Sequence, residues 1–139
     1  MKRLVLDASV ALAWFLDDPV PVYATHMRQA LLRGTRMLVP ALWILEVANG
    51  LAVGERRGNL TAEQVVRCLA LVEQLLGETI EVSSEVIPFR QVLATARSFR
   101  LTAYDSAYLE TARSAALPLA TLDQSLRAAA TQAGVRLAP

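Results

Sequence analysis

The sequence predicts a three-layer α/β/α fold with a central, mostly parallel sheet. Short apolar runs alternate with helical stretches from one end of the chain to the other. That alternation builds a parallel sheet covered by helices on both faces. The first run, Leu4 to Leu6, is apolar at every position, as a central strand buried on both faces must be. The length of 139 residues, 54% of them apolar, matches one domain with a real core. A single domain over residues 1–139 is therefore expected.

Taken in order, Arg3 to Leu6 is the first strand and ends at Asp7. Ala8 to Leu16 is rich in Ala and Leu and reads as a helix, with Asp7 or Ser9 able to cap it. Asp17-Asp18-Pro19-Val20-Pro21 breaks it. Val22 to Leu32 is a second helix, ended by Gly34. Met37 to Val39 is the second strand, stopped by Pro40. Ala41 to Arg57 is a helix whose Leu42, Trp43, Ile44, Leu45, Val47, Leu51 and Val53 surround its axis. A helix apolar all round is expected to be buried. Glu46 and Asn49 share one stripe on it at i, i+3 spacing, facing a cleft or a strip of solvent.

Gly58-Asn59 ends that helix, and Thr61-Ala-Glu-Gln64 is a capping box that starts the next. The second of the pair runs to Leu76, stops at Gly77 and lies antiparallel to the first. Thr79 to Val82 is a third strand. Ser83 or Ser84 caps a helix reaching about Arg100, with Pro88 near its first turn. Asp105 to Ala115 is a helix and Leu117 to Thr121 a strand. Asp123 to Gln132 is a helix closed by Gly134, and Val135 to Leu137 is a last short strand.

Composition removes several function classes. The formal net charge is +1, so no global field draws the chain onto nucleic acid. Thirteen Arg stand against a single Lys, Lys2, a bias toward the planar phosphate reader that coding bias would also produce. Cys68 is alone, which excludes an internal disulfide and a Cys-based zinc site, and it reads as a small buried hydrophobe. No apolar run approaches the roughly 20 residues of a membrane-spanning helix. The basic start Met1-Lys2-Arg3 is interrupted early by Asp7, so it reads as a cytoplasmic N-terminus rather than a signal. No Gly-rich phosphate loop is present, and the only Lys precedes the first strand, which argues against a nucleotide switch. The only His, His26, lies mid-helix, where a partly exposed surface side chain is expected.

Four acids remain. In open α/β sheets, sites form outside the carboxyl ends of the strands. Asp7 and Asp123 follow strands, Asp105 opens the helix before the fourth strand, and Glu46 lies near the start of the helix after the second. Each has an ordinary explanation. Asp7 and Asp123 could be N-caps, Thr102-x-x-Asp105 matches a capping box, and Glu46 could face solvent. Together they are harder to dismiss, because three of the chain's five Asp fall at the same predicted edge. Carboxylates gathered there would repel one another and raise their pKa values. A divalent cation removes that conflict, and carboxylates with water suit Mg²⁺ or Mn²⁺. Such an ion acidifies bound water and clamps a phosphate oxygen, which points to phosphodiester hydrolysis. Ser9 and Thr121 lie beside Asp7 and Asp123 and would support a carboxylate or a water, or else serve as a cap and a strand hydroxyl. Asn49 would hold a phosphate or water near Glu46, or merely be exposed. Arg56 and Arg57 complement the dipole at the end of the Glu46 helix, or else bind substrate, with the dipole role narrowly favoured.

Leu4-Val-Leu-Asp-Ala-Ser9, Leu45-Glu-Val-Ala-Asn49, Leu101-Thr-Ala-Tyr-Asp-Ser-Ala-Tyr-Leu109 and Leu119-Ala-Thr-Leu-Asp123, in this order, resemble the PIN-domain family. Within it they are similar to the VapC-type toxins of bacterial toxin–antitoxin pairs. The resemblance covers essentially the whole chain. It implies an α/β/α fold and an endoribonuclease using Mg²⁺ or Mn²⁺. It makes Asp7, Glu46, Asp105 and Asp123 the acidic site, with Asp7 and Asp105 nearest the metal and Glu46 and Asp123 acting directly or through water. Ser9 and Thr121 match the family's supporting hydroxyls. It further implies a homodimer and a small antitoxin whose C-terminal segment occupies the site groove. The helical pair Ala41–Leu76, with Trp43, Leu45 and Leu69, is a surface for such a partner, or ordinary core. Trp14 and Phe15 would line an antitoxin groove, or pack inside. The rival readings are a non-catalytic module that holds a protein partner, and a metal-dependent phosphatase or DNA nuclease on the same acids.

Overall fold

The structure is a computed structural model that describes residues 2–139; Met1, where the basic start begins, lies outside the described residues. Strands β1 (Arg3–Leu6), β2 (Arg36–Val39), β3 (Ile80–Val82) and β4 (Leu119–Ala120) form one sheet, in the order β3-β2-β1-β4. All three pairings are parallel, with Val5 level with Leu38 on one side and Leu119 on the other. Seven helices connect them: α1 (Ala8–Leu16), α2 (Val22–Leu32), α3 (Leu42–Arg56), α4 (Ala62–Glu78), α5 (Phe89–Phe99), α6 (Ala103–Ala115) and α7 (Gln124–Gln132). The expected fold class is the one observed.

Strand order explains the layers. The chain steps outward from β1 to β2 to β3, then returns past both to β4. Right-handed crossovers therefore put α1 to α4 on one face and α5 and α6 on the other. The packing agrees: α1 lies against α2 and α3, while α5 lies against α6, and α6 against β1 and β4. Leu4, Val5 and Leu6 are completely buried between the layers. The direction of travel reverses at β1, so the crevice beyond the carboxyl ends of β1 and β4 is the switch point where sites form.

Contact between α1 and α3 is close because two glycines allow it. A Cβ on Gly50 would come within 2.3 Å of the Leu12 side chain, and one on Gly54 within 2.8 Å of Leu16. That approach brings the start of α1 beside Glu46.

Several boundaries differ from expectation. Helix α5 begins at Phe89, with Pro88 as its N-cap, rather than at Ser84. The Ser83 hydroxyl accepts the Glu85 N–H in a local turn instead of capping a helix. Helix α4 continues through Gly77 to Glu78, since continued backbone bonding (Thr79 N–H to Leu75 C=O, 2.9 Å) outweighs the roughly 1 kcal/mol cost of an internal Gly. The last strand reduces to a single bridge, Leu119 with Leu137. Helix α3 is not buried all round: Trp43 is in the core, but Leu45 is 73% exposed. Cys68 and the Trp14–Phe15 pair are half-buried against the core rather than enclosed. His26 is exposed, as expected.

Candidate metal centre

Asp7 ends β1 and is buried. It occupies the N-cap position of α1, yet its side chain makes no capping bond. Two hydroxyls claim it instead. Ser9 Oγ donates to Asp7 Oδ2 at 2.6 Å, and Thr121 Oγ1 donates to the same oxygen at 2.7 Å. The simple cap reading thus fails for Asp7. Each hydroxyl is itself anchored, Ser9 Oγ accepting the Leu122 N–H at 3.0 Å and Thr121 Oγ1 the Asp123 N–H at 3.0 Å. This lattice ties the end of β1 to the end of β4, where Asp7 N–H also donates to Ala120 C=O. The other carboxylate oxygen of Asp7 is spared by both hydroxyls.

The remaining acids arrive on helix starts. Asp105 sits in the first turn of α6, where its N–H donates to Thr102 Oγ1, the N-cap, at 3.0 Å. Asp123 caps α7 by accepting the Leu126 N–H at 2.8 Å. Its bland reading is therefore realised, without removing it from the cleft. Glu46 lies in the second turn of α3, and Tyr108 Oη donates to its Oε1 at 2.6 Å. Asp7, Ser9, Glu46, Asn49, Asp105 and Asp123 all line one open cleft of about 340 Å³. Thr121 stands behind it, fully buried. Arg56 and Arg57 do not line it.

Charge in this cleft is frustrated. Burial, and then the neighbouring Asp123, Asp7 and Glu46 carboxylates, push Asp105 up to about 6. Burial also raises Asp7, against the pull of the Ser9 and Thr121 hydroxyls. Burial raises Glu46 too, opposed by the Tyr108 hydroxyl. Tyr108 is itself pushed upward, by burial and by donating to Glu46. Its proton therefore stays on the phenol and keeps pointing at the carboxylate. Three helix N-termini meet the cleft, and their partial positive charges offset part of the repulsion.

The donor set consists of carboxylate oxygens with hydroxyl support, which is the chemistry Mg²⁺ and Mn²⁺ select. Among the described residues no three acids, His or Cys form a finished cage. That is compatible with Mg²⁺, which usually keeps several waters and takes only one or two protein carboxylates. The residues fit such an ion, since Asp7, Glu46, Asp105 and Asp123 line the same cleft. Two helpers were missed in the sequence. Tyr108 lies one helical turn after Asp105, but nothing in the chain announces its bond to Glu46, 62 residues upstream. Arg127 lies one turn after Asp123, donates to the Thr121 carbonyl at 2.8 Å and stacks over the Tyr23 ring.

The PIN-domain family model matches residues 4–132. This chain belongs to the PIN-domain family. PIN domains are generally metal-dependent nucleases. This PIN domain is similar to the crystal structure of PAE2754 from Pyrobaculum aerophilum at 26% identity and a TM-score of 0.70, over 93% of this chain and 84% of that one. In fold alone it is also similar to FitAcB from Neisseria gonorrhoeae, at 18% identity and a TM-score of 0.59, over 98% of this chain and 96% of that one. No curated protein matches it. Among the described residues, no helix of this PIN domain is long and apolar enough to cross a membrane.

Proposed function

We propose that this PIN domain, one unit over residues 1–139, is a Mg²⁺- or Mn²⁺-dependent endoribonuclease of the VapC type. The observation that carries this is the cleft in which Asp105 is raised to about 6 by burial and three other carboxylates. A bound divalent ion would neutralise that charge, polarise a phosphate oxygen and acidify water for in-line attack. Asp7 and Asp105 hold the ion directly. Glu46 and Asp123 complete the site, directly or through water. Ser9 and Thr121 fix the Asp7 rotamer through the shared Oδ2, and Tyr108 fixes Glu46. Asn49, exposed at the mouth, steadies phosphate or water.

On this reading the protein is the cytoplasmic toxin of a toxin–antitoxin pair, working as a homodimer and restrained by a small antitoxin. The exposed apolar side chains Ile44, Leu45, Val66, Leu69 and Leu71 on α3 and α4 support such partners. The test is cleavage of total bacterial RNA by purified protein with Mn²⁺, beside EDTA and Asp105→Asn lanes. Discrete cuts in the metal-plus-wild-type lane alone are expected. Cutting that survives EDTA, or an equally active Asp105→Asn protein, would overturn the reading. A parallel DNA lane separates an RNA enzyme from a DNA nuclease on the same acids.

A further inference from the structure

The opposite edge of the sheet carries the opposite charge. Lys2 and Arg3 precede or open β1, Arg36 opens β2, Arg33 ends α2, and Arg136 precedes the Leu137 bridge to β4. All of them therefore project near the amino ends of the strands. They line two adjoining clefts of about 990 and 470 Å³, which share Lys2, Arg3 and Pro139 and so run together as one trench. No Asp or Glu side chain lines either cleft, and neither contains Phe, Tyr or Trp. His26 stands in the larger one.

These cations are largely uncompensated. Arg3 reaches Glu81 at 3.3 Å in an exposed pair, worth little in solvent. Arg36 Nη1 donates only to the Glu78 carbonyl, at 3.4 Å. Among the described residues Lys2, Arg33, Arg36 and Arg136 make no ion pair. The dipole at the end of α2 accounts for Arg33, but not for cations on strand starts. Four Arg in the trench supply planar, bidentate donors suited to phosphate. Two adjoining open clefts with cations along both suit a chain of phosphates better than one compact anion. The lack of aromatic rings leaves nothing for bases to stack on.

We propose that this trench binds the phosphate backbone of single-stranded RNA outside the cleavage cleft, without reading its bases. The choice of RNA among polyanions rests on the ribonuclease reading above. Flanking phosphates are repelled by the acidic edge and drawn to the basic one, so long RNA is held across the end of the domain remote from the cut.

The experiment is fluorescence anisotropy of a labelled mixed-sequence RNA with the full chain in EDTA, across a salt series. Each lost phosphate contact lowers the slope of log affinity against log salt by roughly 0.7 for a single strand. The Arg33→Gln/Arg36→Gln/Arg136→Gln protein is expected to bind at least tenfold more weakly, with the slope reduced by roughly 2. The single Arg136→Gln variant, the mildest for folding, should lose roughly 0.7 of slope. A control with the same charge change, Arg67→Gln/Arg90→Gln/Arg97→Gln, should keep the wild-type slope. Wild-type binding by the trench variants, or an equal loss in the control, overturns the proposal. So does a trench variant that loses binding to phosphatidylglycerol vesicles but not to RNA. Manganese-dependent cutting of a short oligonucleotide is measured separately, and the trench variants should cut it at the wild-type rate. If wild-type protein binds RNA through the trench but cuts nothing, the cleavage reading fails and the trench stands.

Discussion

The two ends of the sheet make a useful comparison. At the carboxyl ends of the strands stand Asp7, Glu46, Asp105 and Asp123 around one cleft. At the amino ends stand Lys2, Arg3, Arg33, Arg36 and Arg136 along another. A net charge of +1 conceals this separation. Its cause is architectural. Helices α1, α3 and α7 follow strands and α6 carries Asp105, so these four start at the carboxyl edge, while α2, α4 and α6 end at the amino edge, just before β2, β3 and β4. Positive helix ends therefore meet the acids, and negative helix ends meet the cations. Only the acidic end is frustrated, however. Its carboxylates are buried enough to raise one another, whereas the cations lie in an open trench. The acidic end consequently demands a small, dense counter-charge, and the basic end accepts a diffuse one.

The sharpest way to break this contrast is to remove one acid. Asp7→Asn keeps the volume and one hydrogen-bond acceptor but loses the anion. Cleavage is expected to fall by about a thousandfold or more, as when a group acting at the transition state is deleted. Circular dichroism should stay native. Substantial residual cutting would show that the acidic end does not work as described.

Tyr108→Phe is the next largest effect. It strips the half-buried Glu46 of a hydrogen bond to its charged form and leaves the fully buried Tyr108 site without its hydroxyl. Stability should drop by about 1–2 kcal/mol in urea unfolding, and cleavage by about tenfold. Unchanged values for both would mean that the Glu46 carboxylate needs no positioning.

pH sharpens the comparison further. Metal needs the ionised carboxylate, and Asp105 is raised to about 6. Affinity for Mn²⁺ should therefore rise with pH through about 6 and then level off. Titration calorimetry at about pH 5 should show roughly tenfold weaker binding than at about pH 7. Equal affinity at both values would contradict the frustrated cleft.

The smallest effect concerns the metal-free fold. Because the folded-state pKa of Asp105 lies above the ordinary Asp value of 3.8, the folded state holds that proton more tightly than the unfolded one. Its ionisation destabilises the fold progressively as pH rises from about 4 to about 6, and fully above that. Asp105→Asn should accordingly raise the melting temperature of metal-free protein by a few degrees at neutral pH. The gain should vanish below about pH 4. A lower melting temperature at neutral pH would mean that the Asp105 carboxylate stabilises the fold in some other way.

Much of this was legible in the residues alone. Alternating apolar runs and helices specified the layers and the parallel sheet, because a strand buried on both faces must be apolar throughout. Capping chemistry is local, so the Thr61 and Thr102 caps and the Asp123 cap could be read directly. The four acids could be nominated because strand ends and helix starts fall on one edge of such a sheet. Tertiary structure decided what local chemistry could not. It let α4 run through Gly77, since neighbouring backbone bonds override a weak propensity. It left Leu45 exposed on a helix whose pattern implied burial. It gave both hydroxyls to one oxygen of Asp7, the Tyr108 proton to Glu46, and the cations to a shared trench. The Thr121 bond to Asp7 and the Tyr108 bond to Glu46 join residues far apart in the chain, and no periodicity or spacing encodes a contact that only folding brings within bonding distance.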